Sequence, residues 1–452
     1  MRGPNSRSTR GGVSAHELME QTPVVVRSAM TKFDMSNSKS PLRLLGRRGS
    51  AEAYALRDFL YRSGVPFEWI ELATDTQARE HGQLEGLTDS RLPVCLFPDG
   101  TRLDHATIQG VCSKLGWLRA PSLSEYDLAI LGAGPAGLSA AVYGASEGLK
   151  TLVIERSAVG GQAATSSRIE NYLGFPEGVA GSELACRARE QALRFGAEIL
   201  LLQEGVRADF TGGAGVGYLA DGIRFGMRSS ICASGVEYRR LNLWNEDRLR
   251  GAGVYYGAGA SEAELCAHET VFVVGGGNSA GQAALHFCAR ARKVVILIRG
   301  EGLKETVSQY LVDRILAANN IEVLPHTEVV ELHGDPMLEA ITIRDNQSGD
   351  ERVVNTHWLF LCLGGVPNTA WAAASHVLRD EQGYLVTGPD LRRYGVSADK
   401  WPLEREPFYL ETSIPGLFAA GDVRHGSVKR CASAVGEGAM AVTFAHRYLA
   451  GH

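Results

Sequence analysis

The chain has 452 residues, with 46 lysines and arginines, 51 aspartates and glutamates, and only 8 cysteines. Its length predicts several domains at roughly 100–200 residues each, and its net charge of −5 argues against a general nucleic-acid-binding protein. Cysteine is too sparse for a disulfide scaffold. Glycine is abundant, at 53 residues, and because this excess is neither periodic nor proline-rich it predicts turns at ligand sites.

The amino-terminal end is polar and basic. The first fifty residues carry nine lysines or arginines and three acids. We expect residues 1–40 to be a flexible segment with one helix at 15–35, capped by Ser14. The early arginines are not followed by the apolar core of a signal peptide. The uncharged stretch 128–146 contains Pro135 and four glycines, which predicts strand, turn and helix rather than a membrane span. We therefore expect a cytoplasmic protein.

Residues 41–119 have the alternating pattern of a small α/β domain. Short apolar strands are separated by amphipathic helices in the order β-α-β-α-β-α. The sequence places strands at 42–45, 66–72 and 92–100, and helices at 50–63 and 105–115. A polar linker at 120–125 follows.

A strand, a glycine turn and a helix come after the linker. The residues of the turn, in the form G-x-G-x-x-G, are Gly132, Gly134, Pro135, Ala136 and Gly137. The glycines permit the tight turn, the approach of the backbone to a pyrophosphate, and close packing of helix on strand. The second strand, 151–155, ends in Glu155, which can accept a hydrogen bond from a ribose hydroxyl. The alternative is a glycine turn without a ligand.

A second module of the same kind begins at Thr270. The residues of its turn, in the form G-x-G-x-x-A, are Gly275, Gly277, Asn278, Ser279 and Ala280. Its second strand, 293–299, ends in Arg299, and a cation there tolerates the 2′-phosphate of NADP. Lys304 assists and Glu301 opposes this preference. We favour NADP over NAD, and an empty second site is the alternative.

Near the carboxyl terminus, Gly421 and Asp422 end an apolar stretch. A carboxylate there suits a hydroxylated chain such as ribityl. Residues 428–434 then open a final helix, whose first amides can face a flavin carbonyl.

Together these motifs resemble the low-molecular-weight thioredoxin reductase family from Tyr126 onward. The segments 160–162, 169–176, 233–235 and 363–369 add to the resemblance. It implies an α/β flavoprotein with two Rossmann-like dinucleotide-binding domains that bind FAD and NADP or NAD, and usually a homodimer. The FAD domain would consist of residues 120–237 and 367–452, with an NAD(P) domain at 238–366 inserted. Further FAD-binding residues implied are Gly161, Gln162, Asn171, Val206, Ala233, Gly235, Gly421, Asp422, Arg430, Cys431 and Ala432.

One departure from that family bears on the reaction. The family has a redox-active Cys-x-x-Cys just before the second glycine turn. In this chain those positions are Gly257 and Ala260 or, one residue over, Ala258 and Ser261. No two of the eight cysteines are three residues apart. Cys266 is the nearest, and packing is its simplest role. Without a paired cysteine a dithiol relay within the chain is not available.

The 41–118 region resembles a glutaredoxin or thioredoxin fold. Pro93 matches the cis-proline next to the active centre of that fold. The segment that should open the first helix, residues 46–53, again has no cysteine. Both modules of dithiol chemistry therefore lack their dithiols.

The leading hypothesis is an FAD-dependent NAD(P)H oxidoreductase that delivers electrons to an external acceptor, such as a quinone, another flavin or a redox protein. A non-catalytic NAD(P)- or flavin-responsive sensor or docking protein is the first alternative. The second is a thioredoxin-disulfide reductase that uses Cys266 or a partner's thiol.

No acid, base or nucleophile can be assigned, and no metal-ligand spacing occurs. His326 and His357 are best interpreted as ordinary histidines, whereas His425 could lie near the flavin.

Overall fold

The computed structural model describes residues 24–27, 41–211, 214–257, 259, 262–304, 307–397 and 401–451. The amino-terminal unit, residues 41–118 with one added strand, is a sheet with helices around it. Its strands are β1 (Val24–Arg27), β2 (Leu42–Arg47), β3 (Phe67–Leu72), β4 (Val94–Leu96) and β5 (Arg102–Leu103), and its helices are α1 (Ala51–Arg62), α2 (Asp75–Gly82) and α3 (Ile108–Lys114). The strand order is β1-β3-β2-β4-β5, in which only β2 and β3 are parallel.

Helix α1 begins where its sequence predicts. Ser50 caps it, because its hydroxyl accepts a hydrogen bond from the amide of Ala53 at 3.2 Å. The buried face of α1 includes Leu56 and Leu60, which pack in the core of this unit beside Trp69. The peptide bond between Leu92 and Pro93 is cis.

The predicted helix at 15–35 is wrong where the structure describes it. Residues 24–27 form strand β1, which pairs antiparallel with β3, Val24 opposite Glu71. Three consecutive valines after Pro23 explain the difference, because β-branched residues favour extended backbone. Ser14 and the rest of the predicted helix lie outside the described residues. Part of the segment expected to be flexible therefore belongs to a sheet.

The first nucleotide unit follows. Its elements are β6 (Glu125–Leu131), α4 (Pro135–Ser146), β7 (Thr151–Glu155), α5 (Gly181–Arg194), β8 (Glu198–Leu201), β9 (Gly205–Thr211), β10 (Ala214–Leu219) and β11 (Arg224–Cys232). The order is β8-β7-β6-β11-β10-β9; the first four strands are parallel and the last two pair antiparallel. Strand β7 is buried along its whole length, as expected for a strand covered on both faces.

The chain then enters a second unit. Its elements are β12 (Val236–Tyr238), α6 (Glu246–Leu249), β13 (Val254–Tyr256), β14 (Thr270–Val274), α7 (Asn278–Cys288), β15 (Lys293–Leu297), α8 (Gln309–Ala317), β16 (Ile321–Leu324), β17 (Thr327–His333), β18 (Ala340–Asp345), β19 (Glu351–Asn355), β20 (Leu359–Leu361) and β21 (Gly365–Pro367). A parallel sheet has the order β13-β20-β14-β15-β16, and β17-β18-β19 form an antiparallel meander. Strands β12 and β21 pair where the chain leaves and returns.

The carboxyl-terminal part adds α9 (Asp390–Arg393), β22 (Leu417–Ala419) and α10 (Cys431–Ala450). Strand β22 pairs parallel with β11, Ser230 opposite Leu417, so the first sheet is built from two separate stretches of chain. Helix α10 packs on α4, and at Gly438 a Cβ atom would lie 2.1 Å from the carbonyl oxygen of Ala136. None of the described helices is long and apolar enough to cross a membrane.

Helix α1 contacts both nucleotide units. Arg57 donates to the carboxylate of Glu262 in the second unit at 2.8 Å, and the two side chains are 7% and 1% exposed. Tyr54 packs edge-to-face on Tyr255, with ring centroids 5.1 Å apart. At the end of α1, Arg62 donates to the carbonyl oxygen of Gly161 in the first unit at 3.3 Å. The amino-terminal unit is therefore attached by buried contacts rather than by the linker alone.

Arg57→Met is expected to lower the free energy of unfolding by about 3–5 kcal/mol, because it removes the guanidinium that neutralises a buried carboxylate. Urea denaturation followed by circular dichroism measures this loss. Arg48→Met is the matched control: Arg48 pairs with Glu269 at 3.1 Å, but the side chains are 40% and 35% exposed. The free energy of unfolding of this variant should fall by less than about 1 kcal/mol. Equal decreases in the two variants would contradict the role of Arg57 as the partner of a buried carboxylate.

Candidate functional site

The first glycine turn leaves open space for a diphosphate. Gly132 has φ +102°, and a Cβ atom there would lie 2.5 Å from the carbonyl oxygen of Ala233. At Gly137 a Cβ atom would lie 1.8 Å from the carbonyl oxygen of Gly132, so helix and strand touch backbone to backbone. At Gly134 a Cβ atom would meet nothing within 4 Å. Helix α4 begins there with Pro135 and Ala136, and its free amides face this space.

The expected ribose acid is in place at the end of β7. Glu155 is 8% exposed. Its two carboxylate oxygens accept hydrogen bonds from the amides of Ala133 and Ser157, each at 2.8 Å. Each oxygen retains a second lone pair, so the carboxylate can still accept from a ribose hydroxyl. The second role of Glu155, holding the glycine turn, was not visible in the sequence.

The loop at 160–165 lies against that turn. The amide of Gly160 donates to the carbonyl of Ala133 at 2.7 Å. Gly161 has φ +53°, and a Cβ atom there would lie 3.2 Å from the Cα of Gly134. Gln162 donates through Nε2 to the carbonyl of Val236 at 2.8 Å, which ties the loop to β12. This loop therefore forms a wall of the space that the first turn leaves open.

The carboxyl-terminal segment supplies a carboxylate and a helix amino terminus. Asp422 is partly buried; burial raises its pKa, while Lys429 acts in the opposite direction. Lys429 donates to the carbonyl of Asp422 and lies 4.1 Å from the ring centroid of Tyr384. Gly421 donates to Glu437 at 2.7 Å, which holds the turn. The cap and first residues of α10 are Arg430, Cys431 and Ala432.

The remaining predicted FAD residues lie on turns and near the ends of strands. Asn171 is exposed on a turn. Val206 is 46% exposed near the start of β9. Ala233 follows β11, and its amide donates to the carbonyl of Leu131 at 2.8 Å. Gly235 has φ +63° and leads into β12. The chemistry of these groups, a diphosphate cradle, two carboxylates and a helix amino terminus, fits FAD.

The second glycine turn repeats the geometry of the first. Gly275 has φ +143°, and a Cβ atom there would lie 2.4 Å from the carbonyl oxygen of Cys362. At Gly277 a Cβ atom would meet nothing within 4 Å. Asn278 and Ser279 open α7, and Ala280 is buried. This turn fits the diphosphate of a nicotinamide dinucleotide.

The side chain of Asn278 already has a protein partner. Its amide donates to the hydroxyl of Ser308 at 2.9 Å and accepts from the Ser308 amide at 2.7 Å. This pair links the turn to the start of α8, and it leaves one Nδ2 hydrogen of Asn278 in addition to the backbone amide for a phosphate. Strand β15 ends at Leu297, earlier than predicted, and Arg299 and Lys304 are exposed beyond it.

A phenol lies beside Gly257, which in one of the two alignments takes the position of the family's first cysteine. A Cβ atom at Gly257 would lie 2.5 Å from the hydroxyl of Tyr238 and 3.2 Å from the hydroxyl of Thr165. These two hydroxyls are 3.0 Å apart and share a hydrogen bond. Burial raises the pKa of Tyr238 to about 12, so the phenol is neutral at physiological pH. Neither Tyr238 nor Thr165 belongs to a motif that sequence analysis identified. Ala258, Ala260 and Ser261 lie outside the described residues.

Every cysteine is held away from thiolate chemistry. All eight are free, and burial raises the pKa of each thiol. Cys266 is fully buried, and burial together with the charge of Glu262 raises its pKa well above the usual value of a thiol. Reactive cysteines show the reverse, a lowered pKa and partial exposure.

The histidines are accounted for by local contacts. His425 pairs through Nδ1 with Asp380 at 2.7 Å, close to the edge of Tyr394. His357 contacts the carbonyl of Leu338 at 2.7 Å through Nδ1. The amide of His326 donates to the carbonyl of Gly300. The Asp380 partner is what sequence reasoning missed, because 45 residues separate it from His425.

Comparison with known proteins gives the class. Residues 126–438 match the pyridine nucleotide-disulphide oxidoreductase family, and the chain belongs to this family. It is 33% identical over 325 residues to a thioredoxin reductase of Listeria innocua, covering 72% of this chain and 94% of that protein. It is 32% identical over 329 residues to a thioredoxin reductase of Mycolicibacterium smegmatis, covering 73% and 98%.

Solved structures agree. The thioredoxin reductase of Lactococcus lactis superposes with a TM-score of 0.64 at 27% identity, covering 72% of this chain and all of that one. That of T. acidophilum gives 0.64 at 28% identity, covering 73% and 99%. The chain is thus an NAD(P)H-dependent FAD oxidoreductase of the thioredoxin reductase type, with FAD and a nicotinamide dinucleotide as cofactors. The family match begins at residue 126, so it does not cover the amino-terminal unit.

Substitutions at Gly134 and Gly277, the two glycines that face open space, are expected to weaken the binding of different cofactors. Gly134→Ala should weaken FAD binding at least about tenfold with little change in apoprotein stability, because the added methyl group meets no protein atom but enters the space for a phosphate. Gly277→Ala should raise the KM for NADPH and leave FAD content unchanged. Bound flavin per chain and steady-state kinetics measure the two effects, and each variant is the control of the other. Loss of FAD from both variants would contradict the assignment of separate sites.

Proposed function

We propose that this enzyme passes electrons from its reduced flavin to an external acceptor without a dithiol relay of its own. The observation that carries the proposal is the geometry at Gly257, where a phenol fills the space that a thiol side chain would need. The sequence has no pair of cysteines three residues apart. The buried thiol of Cys266 does not substitute for such a pair.

The cofactor and the protein have different roles in this proposal. FAD, when bound, supplies the capacity to accept hydride from a nicotinamide and to pass electrons on singly or in pairs. The two glycine turns hold the two diphosphates, and Asp422 meets the ribityl hydroxyls. Tyr238 and Thr165 form a neutral hydrogen-bonded pair beside the flavin loop. The protein therefore provides position, a neutral polar surface and exclusion of water rather than a nucleophile.

NADPH is the electron donor that the charge pattern favours. Arg299 and Lys304 are exposed beyond β15, where the 2′-phosphate of NADP would lie. Glu301 is the opposing charge nearby.

The amino-terminal unit is proposed to be a thioredoxin-like domain without its dithiol. Parallel β2 and β3 joined through α1, an antiparallel β4 and the cis bond before Pro93 support this assignment. The segment that opens α1 has no cysteine. A homodimer and a cytoplasmic location belong to the same proposal and rest on the resemblance alone.

Anaerobic stopped-flow mixing with NADPH tests the route of electrons. The flavin should be reduced, and ferricyanide or a quinone should then reoxidise it catalytically, whereas thioredoxin disulfide should not. Cys266→Ser should keep at least about 80% of wild-type turnover, because a buried thiol with a raised pKa takes no part. Flavin that stays oxidised would overturn the proposal. Reduced flavin without turnover on any acceptor would favour the sensor, and Cys266-dependent disulfide reduction would favour the thiol route.

Arg299→Leu should raise the KM for NADPH about tenfold or more and leave the KM for NADH within about twofold, because only NADPH carries the phosphate that the guanidinium binds. Steady-state kinetics with both donors measure the ratio. Arg292→Leu is the matched control, since Arg292 is exposed before β15 and contacts Thr270 at 3.1 Å. Equal changes for NADPH and NADH would contradict the role of Arg299.

A further inference from the structure

Helix α1 of the amino-terminal unit ends against the flavin loop. Arg62 is the last residue of α1, and its side chain is 17% exposed. Its Nη2 donates to the carbonyl oxygen of Gly161 at 3.3 Å, and its Nη1 lies 3.4 Å from the carboxylate of Asp58, one turn earlier. The guanidinium is thus oriented by its own helix and bonded to the backbone of another unit.

The bonded carbonyl belongs to the wall of the FAD site. Gly161 lies against Gly134, the residue of the first turn that faces open space, and Gly160 bonds to Ala133 in the same turn. Gly161 has a positive φ, which glycine adopts without strain. Gly160 and Gln162 tie the loop to the flavoprotein itself, and Arg62 adds a contact from the amino-terminal unit.

Burial lowers the pKa of Arg62, but the carboxylates of Asp58 and Glu155 outweigh this effect and raise it overall. The guanidinium is therefore charged, and charge-assisted hydrogen bonds are about twice as strong as neutral ones. Because the Arg62 side chain is only 17% exposed, its bond to Gly161 is less weakened by competing water than a surface contact would be.

The other end of the helix is fixed independently. Arg57 forms its buried pair with Glu262 of the second unit, and Tyr54 packs on Tyr255. Because α1 is anchored there, the position of Arg62 is set by the packing of the whole unit rather than by a mobile side chain on the surface.

We propose that Arg62 is a positioning residue of the FAD site, so that the amino-terminal unit serves to retain the flavin. By holding the carbonyl of Gly161, it keeps the 160–165 loop closed on the diphosphate turn. The amino-terminal unit, which has no dithiol of its own, would then have a role in binding FAD that requires no redox chemistry. The proposal concerns binding of FAD and does not depend on the electron acceptor.

The test is the rate at which FAD leaves the diluted holoenzyme, followed by the rise in flavin fluorescence. Arg62→Met should accelerate release about tenfold or more, while the thermal midpoint of the apoprotein stays within about 2 °C of the wild type. Arg62→Lys retains a charged donor and should recover part of the loss. Arg48→Met is the control, because it removes an arginine of the same unit whose described contacts are with Glu269 and the ring of Trp358, both in the second unit.

Wild-type release from Arg62→Met would overturn the proposal. So would equal acceleration by Arg48→Met, since that result would mean general loosening of the amino-terminal unit. If Arg62→Met does not fold, Arg62→Gln is compared with Arg62→Lys: faster release from the glutamine variant supports the role of the charged donor, and equal release contradicts it.

Discussion

The first nucleotide site depends on how closely the backbone of a helix can approach the strand before it. At Gly137 there is room for a hydrogen but not for a methyl group, because the carbonyl oxygen of Gly132 would lie 1.8 Å from a Cβ atom. That contact brings the first turn of α4 to the carboxyl end of β6 and points its free amides into one open space. The rest of the site is arranged around this space. Glu155 accepts a hydrogen bond from the turn, and the 160–165 loop lies against it. Strand β22 joins the same sheet and places Asp422 at the edge of that sheet.

A protein with this fold would be expected to reduce disulfides, but the environment of the thiols in this chain opposes that reaction. A dithiol needs two sulfurs near the flavin and a pKa low enough to give thiolate. This chain has glycine or, in the other alignment, alanine at the first position, and burial raises the pKa of every cysteine thiol. Beside Gly257, the hydroxyl that Tyr238 presents is neutral.

The parts of the fold that follow from neighbouring residues could be predicted from sequence, and the parts that depend on distant contacts could not. The strand 151–155, the helix predicted over 50–63 and both glycine turns follow from local pattern, and the structure places them as expected. The helix predicted over 24–27 failed because the valines pair with a strand more than forty residues away. Tyr238 belongs to no motif, and its importance appears only when residue 257 is brought beside it by the fold.

Helix α1 joins these observations, because its two arginines are bonded to different nucleotide units. Arg57 and Arg62 are five residues apart, which is about 7.5 Å along the helix axis. One meets a buried carboxylate of the second unit and the other a backbone carbonyl of the first. Because α1 is bonded to both units, the relative position of the two units is coupled to the stability of these contacts. A ligand that shifts one unit relative to the other must therefore act against the Arg57–Glu262 pair. By linkage, that pair must in turn affect the binding of the ligand. The amino-terminal unit is therefore best understood as part of the flavoprotein's framework.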